Sequence, residues 1–195
     1  MGSTLQDRVR EASEYNQFAT PSYGTEILIP YLKQKGFQYA WEPACGLGHI
    51  SKVLEENDIN VFQSDINIFK GNEEKTHKLD FTVQTELPDK NIEAIITNPP
   101  YSIKDDFIKK CYEFGKPFAL LMTVRALGAK DRVNMYMEYG IELLVPDRRI
   151  NYIYHLDKER NWFHSAWFCH GILPEKIIFT RMQKHDRDQN QIRFY

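Results

Sequence analysis

Four short apolar runs constrain this chain more than any other feature. Residues 37–42 (FQYAWE), 60–65 (NVFQSD), 92–97 (IEAIIT) and 117–123 (PFALLMT) are of strand length, and they read as apolar runs rather than as strict alternations. A strand covered on both faces reads this way, whereas a half-solvated one alternates. Between the runs lie stretches with helical spacing at 25–35, 49–57 and 105–114. Strands and helices alternating at this distance predict βαβ units. Further strands are expected at 141–145, 165–170 and 176–180, and a further helix at 132–139. The expected fold is a Rossmann-like, doubly wound α/β architecture, a mostly parallel sheet with helices on both faces. Pro30 inside the first helical stretch predicts a kink or a late helix start. Residues 70–78 read as a charged loop or short helix. The length of 195 residues suits one domain. That domain is placed at residues 20–182, between a polar arm (1–19) and a polar tail (183–195).

Composition narrows the function classes. Hydrophobic residues make up 42% and charged residues 27%, which is a globular balance and not a disordered one. No apolar stretch approaches the ~18 residues of a membrane helix, and the first fifteen residues lack the apolar core of a secretory leader. Cys45, Cys111 and Cys169 are far apart with no CxxC, which argues against a disulfide framework or a zinc site and fits the cytoplasm. The six histidines form no HxH or HxxxH pair, so no metal is expected. The net charge of −2 hides an asymmetry. Residues 1–100 hold nine basic against fifteen acidic side chains, and residues 101–195 hold sixteen against twelve. The basic half reads either as ordinary solvated surface or as a side that faces phosphates.

In open parallel sheets, ligands sit outside the carboxyl ends of the strands. Three such ends are unusual here. The first is Glu42-Pro43-Ala44-Cys45-Gly46-Leu47-Gly48, where two glycines allow a tight turn and a close approach of backbone to ligand. The second is Asp65, an acid placed to hold vicinal ribose hydroxyls, or else a loop or capping acid. The third is Asn98-Pro99-Pro100-Tyr101. Two prolines behind a buried strand force a rigid extended turn, fixing an amide and a carbonyl beside an aromatic ring.

Taken in order with Thr20-Pro21, Asp80-Phe81 and Ser165-Ala166-Trp167-Phe168, these motifs give a chain that resembles the class I S-adenosylmethionine-dependent methyltransferases, in particular small phage-type DNA adenine-N6 enzymes. The resemblance spans roughly residues 16–180. It implies S-adenosylmethionine as cofactor. Thr20 and Pro21 would close over its methionine end, and Gly46 and Gly48 would let the backbone pass close, with Pro43 and Cys45 in the same turn. Glu42 would sit on the sulfonium side and Asp65 on the ribose. Ile66 would pack on the cofactor's adenine, Asp80 would accept from its amine, and Phe81 would lie alongside. Cys45 reads as packing, not as a nucleophile.

The implied chemistry is methyl transfer to an adenine amine whose lone pair is delocalised. The Asn98 side-chain oxygen and the Pro99 carbonyl could localise that pair and stabilise the developing charge. Tyr101 would stack on a flipped base, with Trp162, Phe163 or Trp167 as opposite wall unless these rings are core. Arg125, Lys130, Arg132, Arg148, Arg149, Lys158 and Arg160 are the basic residues of the stretch expected to meet DNA, and a protein partner could supply target recognition. Two alternatives stand beside this reading: a methyltransferase acting on an RNA base or a protein glutamine amide, and a non-catalytic subunit of the same fold that binds nucleic acid or a partner.

Overall fold

The computed structural model describes residues 19–152 and 163–183. Its strands are β1 (Tyr39–Glu42), β2 (Asn60–Asp65), β3 (Thr76–Lys78), β4 (Ala94–Thr97), β5 (Phe118–Thr123), β6 (Glu142–Pro146), β7 (Ser165–His170) and β8 (Ile177–Thr180). They form one sheet in the order β3-β2-β1-β4-β5-β7-β6-β8. All neighbours pair in parallel except β7, which runs antiparallel to both β5 and β6. The mostly parallel, doubly wound sheet expected from the apolar runs is present.

Alternate residues of the central strands face opposite layers. Ala40, Ala94, Ile96, Ala119, Leu121 and Trp167 pack with α1 (Ser22–Glu26), α2 (Ile29–Lys35) and α3 (His49–Glu55). Trp41, Ile95, Phe118, Leu120 and Phe168 pack on the other face with α4 (Lys104–Phe114), while Met135 and Tyr136 of α5 (Lys130–Tyr139) lie against the same cluster. Burial on both faces is what removes the polar alternation from these strands.

Three details differ from the sequence reading. The single helix over 25–35 is two, because the chain breaks between Glu26 and Ile29 and restarts with Pro30 in the first turn of α2. Proline fits there because the first helical N–H groups have no partner within the helix. β3 is a strand where a charged loop or short helix was expected. It is a three-residue edge strand whose His77 and Lys78 are exposed, so its polar sequence carries no strand signal. Arg132 does not belong to a nucleic-acid surface. It is 8% exposed, its guanidinium grips Asp105 of α4 at 2.6 and 2.9 Å, and its Nε donates to the Ala126 carbonyl.

Candidate cofactor and substrate cleft

β1 and β4 are neighbours at the centre of the sheet, and the chain winds away from them in opposite directions. The crevice at such a reversal lies outside the strands' carboxyl ends. Five of the segments of interest reach this rim. Pro43–Gly48 follows β1, Asp65 ends β2 and Asn98–Tyr101 follows β4. Arg125 follows β5, and β7 enters from the same rim because Ser165 pairs with Thr123.

The β1 turn is built around its glycines. Gly46 and Gly48 have φ of +52° and +75°, a region costly for residues with a Cβ. A Cβ on Gly48 would come within 3.1 Å of the Asn72 and Gln63 side-chain amides, whereas one on Gly46 would meet nothing within 4 Å. Gly48 is therefore required by packing, and Gly46 keeps open the space beside the turn. Asn72 pins the turn: its Nδ2 donates to the Gly46 carbonyl at 3.2 Å and to Gln63 Oε1 at 3.0 Å.

Asp65 locks the same turn from β2. Its Oδ2 accepts from the Gly46 N–H and its Oδ1 from the Asn67 N–H, each at 3.0 Å. Burial raises its carboxyl above the usual range, and these backbone N–H groups oppose the shift. Glu42 is 1% exposed, and its Oε2 accepts from both the N–H and the hydroxyl of Ser51 in α3. Burial pushes this carboxyl up to about 8. Cys45 is buried with its sulfur against the Thr76 hydroxyl, and burial pushes the thiol up to about 12, leaving it neutral at ordinary pH. Pro43 is buried and Ile66 half-buried beside Asp65. Asp80 Oδ1 accepts from the Thr82 N–H and hydroxyl, capping a short 3-10 turn. Phe81 corrects an expectation: its ring is 2% exposed and packs edge-on to Trp41 at 5.0 Å and beside Phe107 at 4.7 Å, in the core and not alongside the crevice.

On the β4 side, Asn98 Nδ2 donates to the Thr20 hydroxyl at 3.3 Å, across 78 residues of sequence. This contact brings the Thr20-Pro21 segment and the Asn-Pro-Pro-Tyr turn together. Pro99 is buried and Pro100 half-buried. Lys104 Nζ donates to the Tyr101 carbonyl at 3.1 Å. Phe163 meets the Tyr101 ring edge-on, with centroids 5.4 Å apart. Trp167 is core: it is fully buried in β7 and its indole N–H donates to the Gly24 carbonyl at 2.7 Å. Arg125, Arg148 and Arg149 are exposed in segments that follow β5 and β6, and Arg148 is paired with Asp147 at 3.2 Å. Trp162, Lys158 and Arg160 lie outside the described residues. Among the described residues, no cluster of three or more His, Cys, Asp or Glu could hold a metal ion. Nor is any of their helices long and apolar enough to cross a membrane.

No protein-family model and no curated protein matches this sequence. Solved structures match in shape. One from Listeria monocytogenes, assigned to the class I S-adenosylmethionine-dependent methyltransferases, aligns with TM-score 0.56 and 14% identity over 96% of this chain and 74% of its own. One from Pyrococcus horikoshii, assigned as an RNA methyltransferase, aligns with TM-score 0.56 and 13% identity over 87% of this chain and all of its own. A modification subunit assigned to a type I restriction enzyme from Vibrio vulnificus aligns with TM-score 0.54 and 11% identity over 91% of this chain, which spans 49% of that subunit. The chain has the class I methyltransferase fold.

Within this methyltransferase fold, the crevice has two unlike walls. One is a glycine turn clasped by buried polar side chains. The other is a proline-stiffened amide beside an aromatic pair. Several contributors carried no sequence signal. Asn72 sits in a polar stretch that looks like any solvated loop. Ser51 is an ordinary helix residue until Glu42 is seen to use it. Tyr152 is separated from Tyr101 by half a hundred residues yet is buried near it.

Proposed function

We propose that this chain binds S-adenosylmethionine in the crevice between β1 and β4 and transfers its methyl group to the exocyclic N6 amine of adenine in DNA. The observation that carries the reading is the Asn98–Thr20 hydrogen bond, because it sets the acceptor-side turn against the segment assigned to the donor. The residues present fit the donor: the turn leaves open space at Gly46, and Asp65 holds a buried carboxylate at the turn's edge. When bound, the sulfonium supplies an already activated methyl group. The chain's own residues do the rest. Asp65 grips the ribose hydroxyls, with Ile66 and Asp80 on the adenine of the donor. The Asn98 side-chain oxygen and the Pro99 carbonyl accept from the target amine, localise its lone pair and stabilise the charge that develops. Tyr101 stacks on the target base, which has left its helix at a cost of a few kcal/mol, and stacking returns about 1–3 kcal/mol. Exposed Arg125, Arg148 and Arg149 meet phosphates.

The restriction-modification neighbour is compatible with DNA and with partner subunits, and the Pyrococcus horikoshii neighbour with RNA. The deciding experiment offers labelled S-adenosylmethionine with adenine-bearing DNA, cytosine-bearing DNA, RNA and protein extract in separate reactions. Label in adenine-bearing DNA, recovered as N6-methyladenine after digestion, supports the proposal. Label only in RNA or only in protein overturns the DNA assignment.

A further inference from the structure

The two outer edges of the sheet are unlike. At one end β3 is three residues long and shows His77 and Lys78 to solvent, which is how an edge strand is kept from pairing. At the other end β8 shows apolar side chains, with Phe179 80% exposed and Ile177 52% exposed. Their register partners on β6 are Val145 and Leu143, so both project from the sheet face on which α5 packs. The C-terminal end of α5 borders this strand, since a Cβ on Gly140 would lie 3.6 Å from Lys176 Nζ. Met137, in the last turn of α5, is itself 81% exposed. The backbone of β8 is presented in the same way. The Lys176 and Thr180 carbonyls accept from the Leu143 and Asp147 N–H groups, each at 2.8 Å. Backbone groups alternate in direction along a strand, so those of Ile177 and Phe179 point away from β6. Among the described residues no strand lies beyond β8.

This edge is complementary to itself. In an antiparallel pairing about a two-fold axis at Ile178, Ile177 stands opposite the partner's Phe179 and exchanges both backbone hydrogen bonds with it. The two apolar side chains then lie together on one face. Glu175 precedes the strand and Arg181 follows it, so the same pairing brings Glu175 to the partner's Arg181. Both are exposed, and neither is in an ion pair with another described residue. A slip of two residues in either direction parts these charges. We propose that the chain dimerises through β8, in an antiparallel β8–β8 pairing that joins the sheets of two copies into one and takes its register from the Glu175–Arg181 contact. The inference stands apart from the choice of methyl acceptor.

Sedimentation velocity on the full chain over a concentration series is expected to show a monomer–dimer equilibrium. Phe179→Lys alters a side chain that is mostly in solvent, so the monomer should keep its stability. It should weaken the dimer by about tenfold or more, because the lost apolar contact occurs twice across the axis. Ile177→Lys repeats the measurement should Phe179→Lys fold poorly. Charge reversal tests the register. Glu175→Arg and Arg181→Glu should each weaken self-association roughly fivefold or more by setting like charges together. The two single variants, mixed, should pair with each other, and the double variant should return to within about threefold of wild type. A wild-type dimer indifferent to Phe179→Lys, or a double variant no tighter than the singles, overturns the proposal. So does a wild type that stays monomeric at every concentration. Hydrogen exchange on that monomer would then say what holds the edge: protected Ile177 and Phe179 amides assign it to residues 184–195 of the same chain, and freely exchanging ones to a partner of another kind.

Discussion

Glu42 ends β1 inside the protein, with Ser51 as its hydrogen-bonding partner and two acids, Asp65 and Glu55, as the charges acting on it. Desolvation dominates and raises the carboxyl to about 8. A group whose folded pKa lies above its unfolded value binds more protons when folded. Its stabilising effect is complete below the ordinary carboxylate range and is lost as pH rises towards 8. Glu42→Gln keeps the shape and cannot ionise. Its unfolding midpoint relative to wild type should therefore move in the variant's favour between pH 5 and pH 8.5, by an amount on the order of 1 kcal/mol or more. A difference that does not change with pH would show that Glu42 titrates normally. Asn98 and Asp65 separate the two walls of the crevice in the same way. Asn98→Ala should cost roughly a hundredfold or more in kcat, as for loss of one preorganised polar group, with donor affinity within about threefold. Asp65→Ala should weaken donor binding roughly tenfold or more by removing the carboxylate and freeing the Gly46 turn. Titration calorimetry separates these outcomes, and equal loss of binding and turnover in both variants would contradict the assigned roles.

At the scale of elements, the turns at strand ends decide how much could be read from sequence. Gly46 and Gly48 were legible because each has a physical reason to be glycine, and both adopt positive φ. The Asn-Pro-Pro-Tyr turn was legible because two prolines behind an apolar strand have few other uses. What clasps these turns was not legible. Asn72 and Gln63 reach the β1 turn from elsewhere in the fold, and no local pattern distinguishes them from surface amides. Phe81 and Trp167 were harder still, since an aromatic beside a motif reads the same whether it lines a cleft or fills the core. The glycine turn offers a direct check of this account. Gly48→Ala places a Cβ 3.1 Å from two side-chain amides at φ +75°, so it should destabilise the protein by about 1–3 kcal/mol. Asn72→Ala should leave the fold largely intact and weaken donor binding, because the turn loses its clasp. Denaturant unfolding and donor titration on the two variants would read these effects separately. A stable Gly48→Ala protein would show that the turn is looser than drawn.

The charge asymmetry along the sequence becomes an asymmetry in space because of how the sheet is wound. β3, β2, β1 and β4 come from the acidic first hundred residues, and β5, β7, β6 and β8 from the basic remainder. The crevice between β1 and β4 thus lies in the acidic half, with the basic half starting one strand away. Under the proposed reading, a cationic donor would meet the acidic half and a polyanionic acceptor the basic half that adjoins it at the crevice, which would reconcile an overall charge of −2 with a nucleic-acid substrate. The exposed arginines on the basic side are where this can be measured. If Arg125 and Arg149 each neutralise a phosphate, replacing both with alanine should weaken duplex binding at low salt. It should also flatten the dependence of log affinity on log salt by about 0.9 per contact. Donor affinity should not move, since neither side chain belongs to the β1 turn. Fluorescence anisotropy of a labelled adenine-bearing duplex over a salt series provides both slopes. An unchanged slope would place the acceptor's backbone on another face, and would remove the electrostatic argument for DNA while leaving the crevice itself untouched.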